Sequence, residues 1–424
     1  MFTRRLGKAT LKVLVTLEDH LWRGADGCIY GHGPTGYAIW SELLDSFEQV
    51  ILLARVGNHH AVSAVGNKVE GPSVSVQELP DYLGPGQYLL TLPTLRFRVR
   101  RAVAQADSFL VRVPGLIGRL AWKEIRRLRR PCAAEVMSDP RDTMSPGAIS
   151  TPFRPMYRTI ASRNLRIICE HAFATLYWNG QTMRQRYPSA SNAYTCVAPR
   201  IFLSSGYASP EHMAERFRRM EVRSGLKQSP DRALRIGFIG SFAQLYKGAD
   251  TLLRSLATCL RRGTTLEISF VGEGRYRKNM ESLARDLLVE GNVSFLGQLG
   301  FGRPVCDFLD SIDLFVMPSR AEGLPRALVE AMARGCPCIG SNVGGIPELL
   351  SAEDLVPPND PEALARKIME VAADPQRMKA MSLRNLERAE QFDPEALKDV
   401  RRAFYRYVRD HSVNNAKSGR EDSL

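Results

Sequence analysis

The chain has 424 residues and a formal net charge of +13, with 44% hydrophobic and 24% charged residues. That balance is globular, and it excludes a disordered, collagen-like or small disulfide-stapled chain. The length suggests two large domains, because single cores stop growing at about 250–300 residues. No run of 18 apolar residues occurs, and the apolar stretch near the start breaks at Glu18-Asp19. A spanning helix and a secretory signal are therefore not expected, and the reading is a cytoplasmic protein. The eight cysteines include no CxxC pair, so reduced thiols are expected and no zinc site.

The charge is uneven. Residues 1–200 carry 26 Lys/Arg against 15 Asp/Glu, whereas residues 201–424 carry 32 against 30. A basic half beside a neutral half points to an anionic partner for the first half.

In chain order, Leu11–Leu17 reads as a strand, and Asp26-Gly27 marks a hairpin turn in the loop that follows. Gly36–Phe47 reads as a helix and Val50–Ala54 as a strand. A basic helix is expected over Arg96–Ala106, a strand over Ser108–Val113, and a second helix with a basic end over Gly115–Arg130. Ala133–Met137 is the next strand, and the loop from Ser138 to Gly147 follows it. Residues 208–231 read as a linker.

The second half alternates more cleanly. Leu234–Ser241, Leu266–Val271, Val293–Leu296, Asp313–Met317 and Pro337–Gly340 are short apolar runs, separated by stretches of helical periodicity. That alternation argues a doubly wound parallel sheet. The expected division is 1–207, linker 208–231, 232–392, a helix over 393–411 returning to the first domain, and a disordered polar tail at 412–424.

Open α/β sheets bind ligands beyond the carboxyl ends of their strands. There the second half places small, polar or glycine-rich groups: Ser241, Gly272-Glu273-Gly274, Gly297-Gln298, Ser319–Leu324 and Ser341–Gly345. Such groups suit a phosphate-bearing ligand, because its oxygens need close backbone N–H donors. Glu322 lies in a loop before a helix and Glu330 lies within that helix. The helix start between them favours anions, and carboxylates accept hydrogen bonds from vicinal hydroxyls. Two solvated glutamates would be the bland alternative. Lys247, after a strand and before a helix, can act as a point charge on a diphosphate, or simply be solvated. Gly272-Glu273-Gly274 lacks the third glycine of a dinucleotide fingerprint, and a tight turn is the simpler reading.

Taken together, GFIGSFAQLYKGADTLL, LEISFVGEG, VSFLGQL, SRAEGLPRALVEAMARGCPCIGSNVGGIPELL and LVPPNDPEALARKI resemble, in order, the C-terminal domain of the family 4 retaining glycosyltransferases, over about Leu234–Asp393. The resemblance implies the GT-B fold, two Rossmann-like α/β domains facing across a cleft. It implies that Lys247 binds the donor diphosphate and that Glu322 contacts the donor sugar. Gly323, Leu324 and Arg326 would offer backbone N–H groups, and Glu330 would bind the ribose. Gly297, Gln298 and Leu299 would line the base pocket. Ser241 stands where relatives often carry a diphosphate-binding arginine, and Arg320 and Arg326 are candidates to replace it.

The first half resembles the acceptor-side domain of such enzymes. Gly31, Gly33 and Gly36 are candidates for the loop that approaches the donor phosphate. Asp139 or Asp142 is a candidate for a polar role in the Ser138–Asp142 stretch, where relatives often place a histidine and this chain has none, and Asp19-His20, after the first strand, are further candidates for the acceptor. The implied reaction is retaining transfer from a nucleotide diphosphate sugar, the co-substrate, to a glycan or lipid-linked hydroxyl, in polysaccharide biosynthesis. No metal and no further cofactor are expected. Alternatives are a sugar-nucleotide epimerase or phosphorylase of the same fold, and a hydrolase using Glu322 and Glu330. A nucleic-acid binder is a more distant class, and the basic runs are read instead as a docking face for an anionic membrane surface.

Overall fold

The computed structural model describes residues 10–31, 36–57, 66–144, 152–200, 203, 207–225, 233–300 and 302–421; the side chains of 222–225 and 415–421 are left aside. Two α/β domains share the chain, each built on its own sheet.

The strands of the first sheet run in the order Val74–Pro80, Gln49–Gly57, Lys12–Arg23, Ser108–Val113, Ala133–Val136, Ala174–Tyr177 and Tyr194–Val197, all parallel. The first of them in sequence is longer than its apolar run suggests and continues to Arg23. Beyond it, Gly27 takes φ 78° and the chain folds back, pairing Trp22 with Tyr30. Alternate residues of this strand feed two cores: Leu14 enters the layer beneath one face, while Val13, Val15 and Leu17 enter the layer on the other. This period of two is what a strand buried on both sides requires.

The helices Gly84–Gln105, Leu116–Arg127 and Arg154–His171 cover one face. The first is twice the length expected, because it starts at Gly84 and carries Pro93 inside. The helix expected over Gly36–Phe47 is shorter: an α segment Tyr37–Ser41 passes into a 3-10 turn, Glu42–Asp45.

The second sheet is wholly parallel, in the order Val293–Gly297, Leu266–Val271, Leu234–Ile239, Leu314–Met317, Cys338–Ser341 and Leu355–Val356. Leu314 and Val316 face one core and Phe315 and Met317 the other. All eight cysteines are free thiols, and six are buried.

Two expectations are corrected. Pro210–Gly225, within the expected linker, is a helix of the second domain. Met213, Arg216, Phe217 and Met220 recur at helical spacing, and the Arg216 guanidinium is buried, donating to the carbonyls of Leu309 and Ile312 at 2.9 Å each. The polar tail is also ordered at its start. The last helix runs Pro394–Glu421, and Ser412 is buried, its hydroxyl donating to Ser108 Oγ at 2.9 Å. That helix lies on the first domain: Phe404, Tyr405 and Val408 enter its core, and the Tyr405 hydroxyl donates to Glu135 at 2.8 Å.

Candidate functional site

The carboxyl edge of the second sheet carries the residues singled out from the sequence. After Leu234–Ile239 the chain makes a loop and a 3-10 turn, Leu245–Lys247, before the helix Ala249–Arg261. Gly248 ends that turn at φ 74°, and a Cβ there would stand 2.0 Å from the Pro318 carbonyl oxygen. Only glycine allows that close crossing, which aims Lys247 at the next loop. Lys247 Nζ donates to Glu322 Oε1 at 2.6 Å, and the Ser319 hydroxyl donates to the same oxygen at 2.7 Å. Glu322 is buried, so cation and hydroxyl together offset its desolvation.

Arg320, a candidate for the missing diphosphate arginine, is spent elsewhere. Its guanidinium binds Asp250 at 2.6 Å, as well as Asn359 and the carbonyl of Leu245. Its backbone N–H donates to the Tyr246 carbonyl at 2.6 Å. It therefore clamps the turn that carries Lys247. The Arg326 side chain is exposed, with no hydrogen-bond partner among the described residues. Ser241 accepts from its near neighbour, the N–H of Ala243, at 3.1 Å.

Glu330 sits on the helix Arg326–Ala333. Its carboxylate has no hydrogen-bond partner among the described residues, and burial pushes its pKa up to about 7, with Arg326 pulling the other way. A shielded carboxylate without a donor is prepared to accept hydroxyls. Gly297 takes φ 75° at the end of its strand, Gln298 is exposed, and Leu299 packs on the second domain's core.

The paired glycines of the downstream segment have a steric cause. Gly345 N–H donates to the Gly323 carbonyl at 2.9 Å, and a Cβ on Gly344 would stand 1.8 Å from the Glu322 carbonyl oxygen. The two loops thus lie backbone against backbone, which holds Glu322 in place. Gly272 and Gly274 likewise face the backbone of Gly240–Ala243 without room for a Cβ.

The first domain closes on this edge through residues that local pattern did not reveal. Asn179 donates to the Met137 carbonyl at 3.0 Å and accepts from Leu324 N–H at 3.3 Å. Glu348 accepts from the N–H groups of Gln181 and Thr182 at 2.7 and 2.8 Å. Asp142, Asn179, Arg186, Glu322, Gly344 and Glu348 line one cavity between the domains.

The acceptor-side candidates separate. Asp142 reaches the cavity; burial chiefly, with Asp139 and Glu322 adding, pushes its pKa to about 6. Asp139 does not present a free carboxylate. It is buried, caps the short helix Pro140–Thr143, accepts from the Tyr187 hydroxyl at 2.6 Å and pairs with Arg186. His20 Nδ1 lies 2.8 Å from Asp81 Oδ1. Gly33 lies outside the described residues; Gly31 ends the returning strand of the hairpin, and Gly36 precedes the helix Tyr37–Ser41.

Residues 233–374 match the family model described as glycosyl transferases group 1. The chain carries a group 1 glycosyl transferase domain. That stretch contains Ser241, Lys247, Gly297–Leu299, Ser319–Arg326 and Glu330. Protein CapJ of Staphylococcus aureus is 24% identical to the transferase over 333 residues, 78% of this chain and 79% of that protein. A GDP-mannose-dependent monoacylated phosphatidylinositol monomannoside mannosyltransferase of Corynebacterium glutamicum is 33% identical over 144 residues, 32% of this chain and 37% of that one. The structure of HepE from Anabaena in complex with UDP and glucose superposes with a TM-score of 0.59 at 18% identity, covering 92% of this chain and 97% of that one. The transferase has the GT-B fold, with two doubly wound domains across a cleft.

Proposed function

We propose that the protein moves a sugar from a nucleotide diphosphate sugar to a hydroxyl of a glycan or lipid-linked acceptor, with retention at the anomeric carbon, in assembly of a surface or exported polysaccharide. The observation that carries this reading is the Lys247–Glu322 pair at the cleft-facing edge of the donor-side sheet, 2.6 Å apart. It is supported by UDP and glucose in HepE and by the GDP-mannose of the corynebacterial relative's name.

The barrier in such a transfer is charge separation. As the bond from the anomeric carbon to phosphate oxygen breaks, the sugar becomes cationic and the diphosphate gains charge. Lys247 and the first-turn N–H groups of the helix Arg326–Ala333 would stabilise the leaving phosphate. Glu322 would hold the sugar hydroxyls and lower the entropic cost of alignment. Glu330 would accept the ribose hydroxyls. The acceptor oxygen bonds to the anomeric carbon on the face the phosphate leaves, and its proton passes to the departing phosphate oxygen. No side-chain base and no metal is then needed.

The test is thermal stabilisation by UDP, GDP and ADP, followed by transfer from the matching nucleotide sugars with the product's anomeric configuration read by NMR. Stabilisation by one base, weakened in Glu330→Ala, is expected. Absence of binding by all three would overturn the reading.

A further inference from the structure

One layer of the first domain bears an apolar surface that nothing among the described residues covers. The helix Gly84–Gln105 buries Leu95, Val99, Ala102 and Val103 against the sheet. A second apolar stripe runs along its outer side: Leu83, Leu90 and Phe97 recur every seven residues and are 67%, 83% and 65% exposed, and Leu89 beside Leu90 is 65% exposed. Heptad spacing keeps them on one face, and Arg101, four residues beyond Phe97, continues it. The helix Arg154–His171 repeats the pattern. Phe153, Met156, Tyr157 and Ile160 follow the i, i+3, i+4, i+7 rule of a helix face, yet all four are exposed.

These helices lie side by side. Leu95 and Val99 share a core with Ile117 and Ala121 of the helix Leu116–Arg127, and with Leu165 and Ile168. Trp122 meets His171 edge-on across the second junction, with ring centroids 6.0 Å apart. Each helix returns against parallel strands, so all three start at the carboxyl edge of the sheet. That edge also carries Asn179 and Asp142, the cleft side of the domain.

The charge on this layer is predominantly positive, with Glu124 and Glu170 as its acidic residues. The Gly84–Gln105 helix contains four arginines and no acidic residue, and the Arg154–His171 helix contains four arginines and only Glu170. Between them, Arg96, Arg119 and Lys123 crowd together with no ion pair among the described residues; repulsion from Arg119, with burial and Arg96 adding, lowers the Lys123 pKa.

We propose that this face docks on an anionic lipid bilayer, with Leu89, Leu90, Phe97, Met156 and Ile160 entering the interface and the arginines meeting the headgroups. Exposed apolar stripes flanked by cations are the combination that reversible membrane attachment needs, since either signal alone is weak. A second copy of the chain is disfavoured as the occupant, because two such faces would oppose like charges. A nucleic acid would leave the aliphatic stripes in water. Docking would bring the cleft to the bilayer surface, where a lipid-linked acceptor would lie; that consequence rests on the transfer reading above.

The test is flotation of the full chain with phosphatidylcholine vesicles, with and without phosphatidylglycerol, in the absence of donor. Partition into the anionic vesicles is expected, weakening as salt is raised. L89S/L90S and R101A/R158A should each lower that partition, the latter by on the order of tenfold or more, at about fivefold per lost cation. These side chains are exposed, so nucleotide-induced thermal stabilisation should stay at the wild-type level in both variants. Equal partition of wild type and both variants, or equal binding to neutral vesicles, would overturn the proposal. So would concentration-dependent dimerisation, lost in L89S/L90S, in a chain that ignores vesicles. Transfer to a soluble acceptor, measured without vesicles, is a separate readout: its failure removes the transfer reading and leaves docking standing.

Discussion

Lys247 Nζ and Glu322 Oε1 lie 2.6 Å apart, on loops 75 residues apart in sequence. Both side chains are largely shielded, so each is the main counter-charge of the other until a donor arrives. Removing one leaves the other buried and unpaired, which costs more than the pair contributes. Lys247→Met and Glu322→Gln should therefore each lower stability by about 1–3 kcal/mol. The double variant should lose less than the sum. A double-mutant cycle on urea midpoints measures this, and strict additivity would show the pair to be energetically silent. Transfer should fall at least ~100-fold in each single variant, the scale of losing one charge-stabilising donor.

Arg320 acts on the same lysine indirectly. Its contacts to Asp250 and to the Leu245 and Tyr246 segment hold the turn in which Lys247 sits. Arg320→Ala should weaken protection by nucleotide diphosphates more than protection by the monophosphates, because the turn would lose its aim at the diphosphate. Arg320→Lys should rescue little, since one ammonium cannot span the fork of contacts. Isothermal titration with UDP and UMP, or the base the protein prefers, checks both; equal loss for both nucleotides would point to general unfolding.

The donor-side domain was legible because its strands are short apolar runs ending in glycine, such as Leu234–Ile239 before Gly240. The paired glycines Gly344 and Gly345 also left a local mark, and their cause is the backbone of Glu322 and Gly323. What stayed hidden depends on distance in sequence. Arg216 reads as one charge among many in a polar stretch, yet it is buried against two carbonyls more than ninety residues away. Arg320 reads as an available cation, and only the fold reveals that Asp250 has claimed it. Asn179 has no motif of its own, and Glu348 stands in the GGIPE segment with nothing local to show what it binds; the role of both arises when two domains meet.

Alongside Asp142, two glutamates carry a pH signature. Burial raises Glu330 and Glu18 to about 7 each, against an unfolded value near 4.5. Between those limits the unfolded chain gives up the proton that the folded chain keeps, so the contribution of these two groups to stability falls as pH rises from about 4.5 to 7 and is constant above. Each group contributes on the order of 3 kcal/mol at most to that fall. Glu330→Gln should flatten the slope of urea midpoint against pH over this window, with the largest gain over wild type at the alkaline end. A slope identical to wild type would mean that Glu330 titrates normally. Bound nucleotide should alter the slope in wild type and not in the variant, since ribose hydroxyls would meet the ionised form.

Glu348 ties the domains together in a way that bears on turnover. Its carboxylate caps the first N–H groups of Gly180–Arg186, and Gly180, at φ 34°, leaves no room for a Cβ, which would stand 1.9 Å from Glu348 Oε2. Asn179 beside it accepts from the N–H of Leu324, a group that would face the donor under the proposed function. Under that function, the contacts between the domains would compete with the donor at one point and support the cleft at another. Glu348→Ala should loosen closure without touching Lys247 or Glu322. Transfer should fall about tenfold or more, while hydrolysis of the donor by water rises relative to transfer, because closure is what excludes solvent. Asn179→Ala should differ: freeing Leu324 N–H should tighten nucleotide binding even as closure weakens. Opposite shifts in nucleotide affinity for the two variants, read by titration, are the expected result, and parallel losses would show the two contacts to be a single structural seam.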